Sequence, residues 1–157
     1  MRLLAAMLIG AVVLFAASPG LMAQGSVPGL GTWVTDVAKS KYSPGPAPKS
    51  QTIKYEPASN GVKRTIDTVD AKGQKTHNEV VLVEGKDVPA PNAPEPTTYG
   101  WRRIDDHTTE TVTRVNGKVT VTSRRVISTD GRTATVTQTG TNAQGQKVSN
   151  TMFQTKQ

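Results

Sequence analysis

Thr108–Thr139, TTETVTRVNGKVTVTSRRVISTDGRTATVTQT, is the stretch that decides the fold. Threonine, valine and isoleucine crowd its three runs, and such β-branched side chains pack well on a pleated surface and poorly in a helix. The runs break at Asn116-Gly117 and Asp130-Gly131, dipeptides that accept the positive φ angles of hairpin turns. The segment therefore reads as three antiparallel strands in a meander. Alternation along the middle run places Val119, Val121, Ser123, Arg125 and Ile127 on one face, which predicts that Arg125 points inward.

The same pattern continues on either side. Upstream, Thr98 to Ile104 puts Tyr99 and Trp101 on one face and Arg102 beside Ile104 on the other, so Arg102 is a second candidate for the interior. Gln51 to Glu56 and Val62 to Val69 alternate as strands. Gln74 to Glu84 is apolar on both faces in its second half, as expected of a strand covered on both sides or lying beside a cavity. Four prolines between Val88 and Thr97 predict a loop. Downstream, a turn at Gly140–Gly145 leads to a closing strand from Lys147 to Thr155. At the other end, Gly31 to Asp36 reads as an opening strand, and Asp36 to Tyr42 as at most one short helix capped by Asp36. The prolines at 44, 46 and 48 then predict a stiff connector.

The count is eight or nine strands in sequential order with short turns, an all-β chain. An up-and-down barrel suits this best, because closure removes edge strands that would otherwise template aggregation. A curled sheet or a sandwich is the alternative.

The N-terminus is of a different kind. Arg2 precedes an apolar run from Leu3 to Ala17, and Ala23 offers a cleavage point. Residues 1–23 therefore read as a signal peptide and 24–157 as a single domain. The run is about 15 residues, short of the roughly 20 that span a bilayer. A periplasmic or secreted location follows, and with no cysteine the domain must hold by packing alone. Lysine and arginine total 19 against 12 acids. The excess is scattered, compatible with weak association with anionic envelope components, while nucleic acid is not expected as a partner. A monomer is expected.

No residue set specifies a reaction. His77 and His107 lie far apart, no serine sits in a nucleophile elbow, and the pairs His77/Glu79 and Asp105/His107 are two ligands each, too few for a metal site. The chain is expected to be no enzyme and to need no cofactor or metal.

Gly31-Thr32-Trp33, at the start of a run of hairpins, resembles the glycine-x-tryptophan motif of the lipocalin and fatty-acid-binding superfamily. The phrases at 39–50, 122–133 and 140–150 also resemble a family of small exported bacterial proteins of unassigned function. The first resemblance implies a lipocalin-like barrel. It also implies an arginine and a tyrosine in the last strand to hold a ligand carboxylate, but Met152 and Gln154 stand at those places. Lipocalins often pack a late arginine over this tryptophan; here the cation at the end of the last strand is Lys156, and Arg125 is the candidate substitute.

The expected function is binding of a small apolar or amphipathic ligand, by Trp33, Tyr99 and Trp101 with Arg102 or Arg125 orienting a polar end. The competing expectation is an envelope-associated structural, stress or protein-interaction module whose barrel is filled by its own side chains.

Overall fold

The computed structural model describes residues 27–157; the expected signal peptide lies outside the described residues. Ten strands follow in sequence: β1 (Gly31–Lys41), β2 (Ser50–Ala58), β3 (Gly61–Val69), β4 (Lys75–Leu82), β5 (Asp87–Pro89), β6 (Thr97–Arg103), β7 (Thr108–Val115), β8 (Lys118–Ile127), β9 (Thr133–Thr141) and β10 (Lys147–Lys156). They form one antiparallel sheet in the order β4-β3-β2-β1-β10-β9-β8-β7-β6-β5. The first and last long strands pair, so the meander curls round on itself into a nearly closed barrel. At the seam, Glu84 just beyond β4 bridges to Trp101 of β6, and the Gly85 N–H donates to the Trp101 carbonyl at 3.0 Å.

Both turns of the central meander form as expected. Asn116 and Gly117 take φ values of 50° and 76°, the left-handed pair of a two-residue hairpin, and Gly131 takes 70°. The tenth strand comes from the proline-rich segment: Asp87–Pro89 pairs with Thr98–Gly100, and Pro89 is tolerated because β5 is an edge. The remainder of that segment is a loop tied down by Asn116, whose N–H reaches the Pro96 carbonyl at 2.8 Å.

Three local expectations are corrected. Asp36 to Tyr42 makes no helix. Asp36 does accept the Lys39 N–H at 3.1 Å, as a cap would, but the turn is absorbed as an irregularity within β1, where pairing with β10 jumps from Asp36↔Phe153 to Lys41↔Thr151. Val119 does not share the inward face of Arg125. Pairing passes from Thr113↔Val121 to Arg114↔Val119, so Thr120 is an extra residue that reverses the alternation, and Val119 is 59% exposed. Finally, β4 is covered on one face only: Val80 and Leu82 are buried while Val81 faces solvent.

The two ends of the barrel differ. One is sealed by Trp33, Ile127 and Ala134, with Val80, Leu82, Val62 and Trp101 forming a second buried cluster against which Val27 and Leu30 pack. The other opens between the β1–β2 connector and the β3–β4 turn.

Candidate functional site

Inside the barrel lies a cavity of about 560 Å³, entered past Tyr42, Pro46 and Pro48 of the proline connector and Asp70, Ala71 and Lys72 of the β3–β4 turn. This volume falls within the range of small-molecule sites. The alternating strand pattern builds the wall. Ile53 and Tyr55 come from β2, Arg64, Ile66 and Thr68 from β3, Trp101 from β6, Thr109 and Thr111 from β7, Ser123 and Arg125 from β8, and Met152 and Gln154 from β10. The lining thus mixes apolar side chains with hydroxyls and amides in similar number.

Arg125 is the dominant feature. It is 5% exposed, and its guanidinium lies between two rings, 4.3 Å from the centre of Trp33 and 4.6 Å from that of Tyr55. Gly29 approaches from the sealed end so closely that a side chain there would strike the guanidinium and Ile127; its φ of 70° also favours glycine. The Gly29 carbonyl accepts the Trp33 indole N–H at 2.8 Å, which holds the lower ring in place. The platform supplies cation–π attraction, about 2 kcal/mol for a desolvated pair. It supplies little hydrogen bonding. Nε donates to Gln154 Oε1 at 3.4 Å, and Nη2 is buried with no partner among the described residues. Burial pulls the Arg125 pKa down from its ordinary value, with Tyr55 acting weakly in the opposite direction. An arginine nonetheless keeps its proton. The cavity wall therefore carries an uncompensated positive charge.

A second buried arginine, Arg64, lines the same cavity. It is 9% exposed and stacks over Tyr99 at 4.8 Å, and its Nε is buried without a partner. Among the described residues four buried side-chain atoms lack partners, and three of them belong to cavity-lining residues: Tyr42 Oη, Arg64 Nε and Arg125 Nη2.

The five residues singled out from sequence separate in space. Arg125 and Trp101 line the cavity. Trp33 is wholly buried in the seal and Tyr99 is half-buried; each supports an arginine rather than forming the cavity wall. Arg102 is a correction. It lies on the outside of the barrel, because its neighbour Trp101 takes the inward position, and it binds its cross-strand partner Glu110 through Nε at 2.9 Å and Nη2 at 2.6 Å. Arg64 was not among the candidates. Its alternation with Val62, Ile66 and Thr68 was the available signal, weakened at the far end, where Thr68 lies on this face and Val69 on the other. The histidines lie elsewhere: His77 Nδ1 is 2.6 Å from Asp67 on the outer face, and His107 borders a separate recess of about 510 Å³ beside Gly29 and Ile127 of the sealed end.

The place of Met152 and Gln154 is informative. Both point inward and are buried, so the last strand presents its side chains to the cavity where the resemblance expects a carboxylate clamp. The positive charge comes instead from β8 and β3. Over Trp33, Arg125 takes one side and Lys156 Nζ sits 5.9 Å from the ring centre.

The architecture is thus that of the lipocalin and fatty-acid-binding type of barrel, antiparallel, up-and-down and nearly closed. No protein-family model matches the chain, and no curated protein sequence matches it. Among solved structures it is similar to a single-residue mutant of the fluorescent protein UnaG, with a TM-score of 0.51 and 15% sequence identity over 79% of this chain and 93% of that one. At that identity the likeness is one of fold.

Proposed function

We propose that the protein is an exported, non-enzymatic carrier that holds a small amphipathic molecule in the barrel, with an acidic group of the ligand on Arg125 and its apolar part against Ile53, Ile66, Trp101 and Met152. The observation that carries this reading is Arg125 itself, a buried arginine that lines the cavity and has no carboxylate partner. Leaving a buried charge unpaired costs several kcal/mol, and an anionic ligand recovers much of that through charge-assisted hydrogen bonds. The competing expectation of a barrel filled by its own side chains has the open cavity against it. The position of both histidines outside the cavity supports binding rather than catalysis. Export to a bacterial periplasm or medium rests on the leader at 1–23 and belongs to the same proposal.

Native mass spectrometry of the protein purified from its source, followed by organic extraction and a thermal-shift comparison with the extract added back, tests the reading. A stoichiometric acidic small molecule that raises Tm, and fails to do so in Arg125→Gln, is the expected result. A ligand-free mass with no shift on adding back the extract overturns it.

A further inference from the structure

We infer that the ligand carries two acidic groups, one met by Arg125 and the other by Arg64. This rests on the binding reading above and goes beyond it, since it gives the ligand a second acidic end.

Both guanidiniums belong to side chains more than nine-tenths buried, and both line one cavity. Neither has a carboxylate. Those on neighbouring strand positions are committed on the outer face: Asp67 to His77, Glu56 to Lys54 and Lys63, and Glu79 to Lys63 and Thr65. Asp70, the one acid among the cavity-lining residues, stands at the rim and accepts the Gln74 N–H at 2.8 Å. The excess positive charge in the interior is therefore not balanced by the chain itself.

The two arginines are also held apart. Arg125 is clamped between Trp33 and Tyr55, while Arg64, the cross-strand neighbour of Tyr55, is turned over Tyr99. Directly opposed residues on one face sit about 5 Å apart at Cβ, so Arg64 flanks the ring whose face Arg125 covers. Separate aromatic supports thus hold the two guanidiniums, one over Tyr99 and the other over Trp33 and Tyr55. One acidic group satisfies one of them and leaves the other buried and bare; two groups on one molecule satisfy both. Between them the wall offers Thr109, Thr111 and Ser123 as well as Ile66 and Met152, which suits a spacer that is apolar only in part.

Isothermal titration calorimetry of the full chain near neutral pH, with dodecanedioate and with its monomethyl ester, separates the possibilities. The two probes share length and chain and differ by one charge. The diacid is expected to bind at least about tenfold tighter than the half-ester, the scale of one added charge-assisted hydrogen bond. Arg64→Gln should remove that preference, and Arg125→Gln should weaken both. Should Arg64→Gln fail to fold by circular dichroism, Arg64→Met, which keeps an unbranched stem over Tyr99, gives the same readout. Equal affinity of the two probes for the unaltered protein, or a preference that survives loss of Arg64, overturns the two-headed ligand and leaves the carrier reading standing. Failure of both probes to bind at about millimolar concentration overturns the two together.

Discussion

The outer and inner faces of this one sheet treat charge in opposite ways. Outside, Arg102 meets Glu110, Arg114 meets Asp87, and Lys54, Lys63, Glu56 and Glu79 form a connected set, all in contact with water. Inside, Arg64 and Arg125 are buried on aromatic rings with no acid to meet them. Exposed pairs such as those outside contribute little to stability, typically below 1 kcal/mol. On the proposed reading the inner pair opposes folding until an anionic ligand arrives. A face whose charges are paired thus encloses one whose charges are not, and that difference singles out the candidate site more sharply than the cavity's size does.

The largest break in that comparison is Trp33→Ala. It removes the platform beneath Arg125 and the central side chain of the sealed end, and should cost about 3–5 kcal/mol in urea unfolding, with Tm falling accordingly. Next in size is Arg125→Met. Replacing a buried unpaired charge with an apolar side chain should stabilise the ligand-free protein by about 1–4 kcal/mol while abolishing uptake of an acidic ligand. A loss of stability on making this change would mean that Arg125 is part of the structural core rather than a site residue. Arg102→Ala, the same residue type on the other face, should change stability by less than about 1 kcal/mol and leave ligand affinity unaltered.

The smallest effect expected is that of mild acid. Hydrogen bonds from the Lys39, His107 and Ser128 groups hold Asp36, Asp105 and Asp130 below the ordinary aspartate value of 3.8, and Lys54 and Lys63 do the same for Glu56 against its ordinary 4.5. A depressed folded-state pKa contributes stability that is complete above the unfolded value and is lost as pH falls through the folded one. Tm should therefore be flat from neutrality down to about pH 5 and decline below about pH 4. Arg125 keeps its proton throughout this range, so the ligand dependence of Tm should persist until the ligand's own acids are protonated.

Much of the barrel was legible because its turns are chemically explicit. Asn116-Gly117 and Asp130-Gly131 name their hairpins, and the threonine and valine runs between them leave no other element to form. The expected helix after β1 failed for a traceable reason. Asp36 does bind the Lys39 N–H, but a capping contact is shared by helices and bulges, and pairing with β10 selected the bulge. Val119 failed similarly, since one extra residue at Thr120 reverses every assignment beyond it. Arg102 and Arg125 looked equivalent because each adjoined an isoleucine on its own face. Nothing local shows which face of a strand a barrel will enclose; that depends on the strands paired to either side.

By itself, then, the sequence determined the all-β class, the sequential order of the strands and the position of the hairpin turns of the central meander, because period-two patterning and positive-φ turns are local properties of the chain. The tertiary structure alone decided that the sheet nearly closes, that Trp33 becomes a seal rather than a wall, and that Arg64 joins Arg125 inside without an acid. Those outcomes depend on which groups from distant strands are brought together in one desolvated space, and an arginine carries no local mark of whether a carboxylate will be waiting for it.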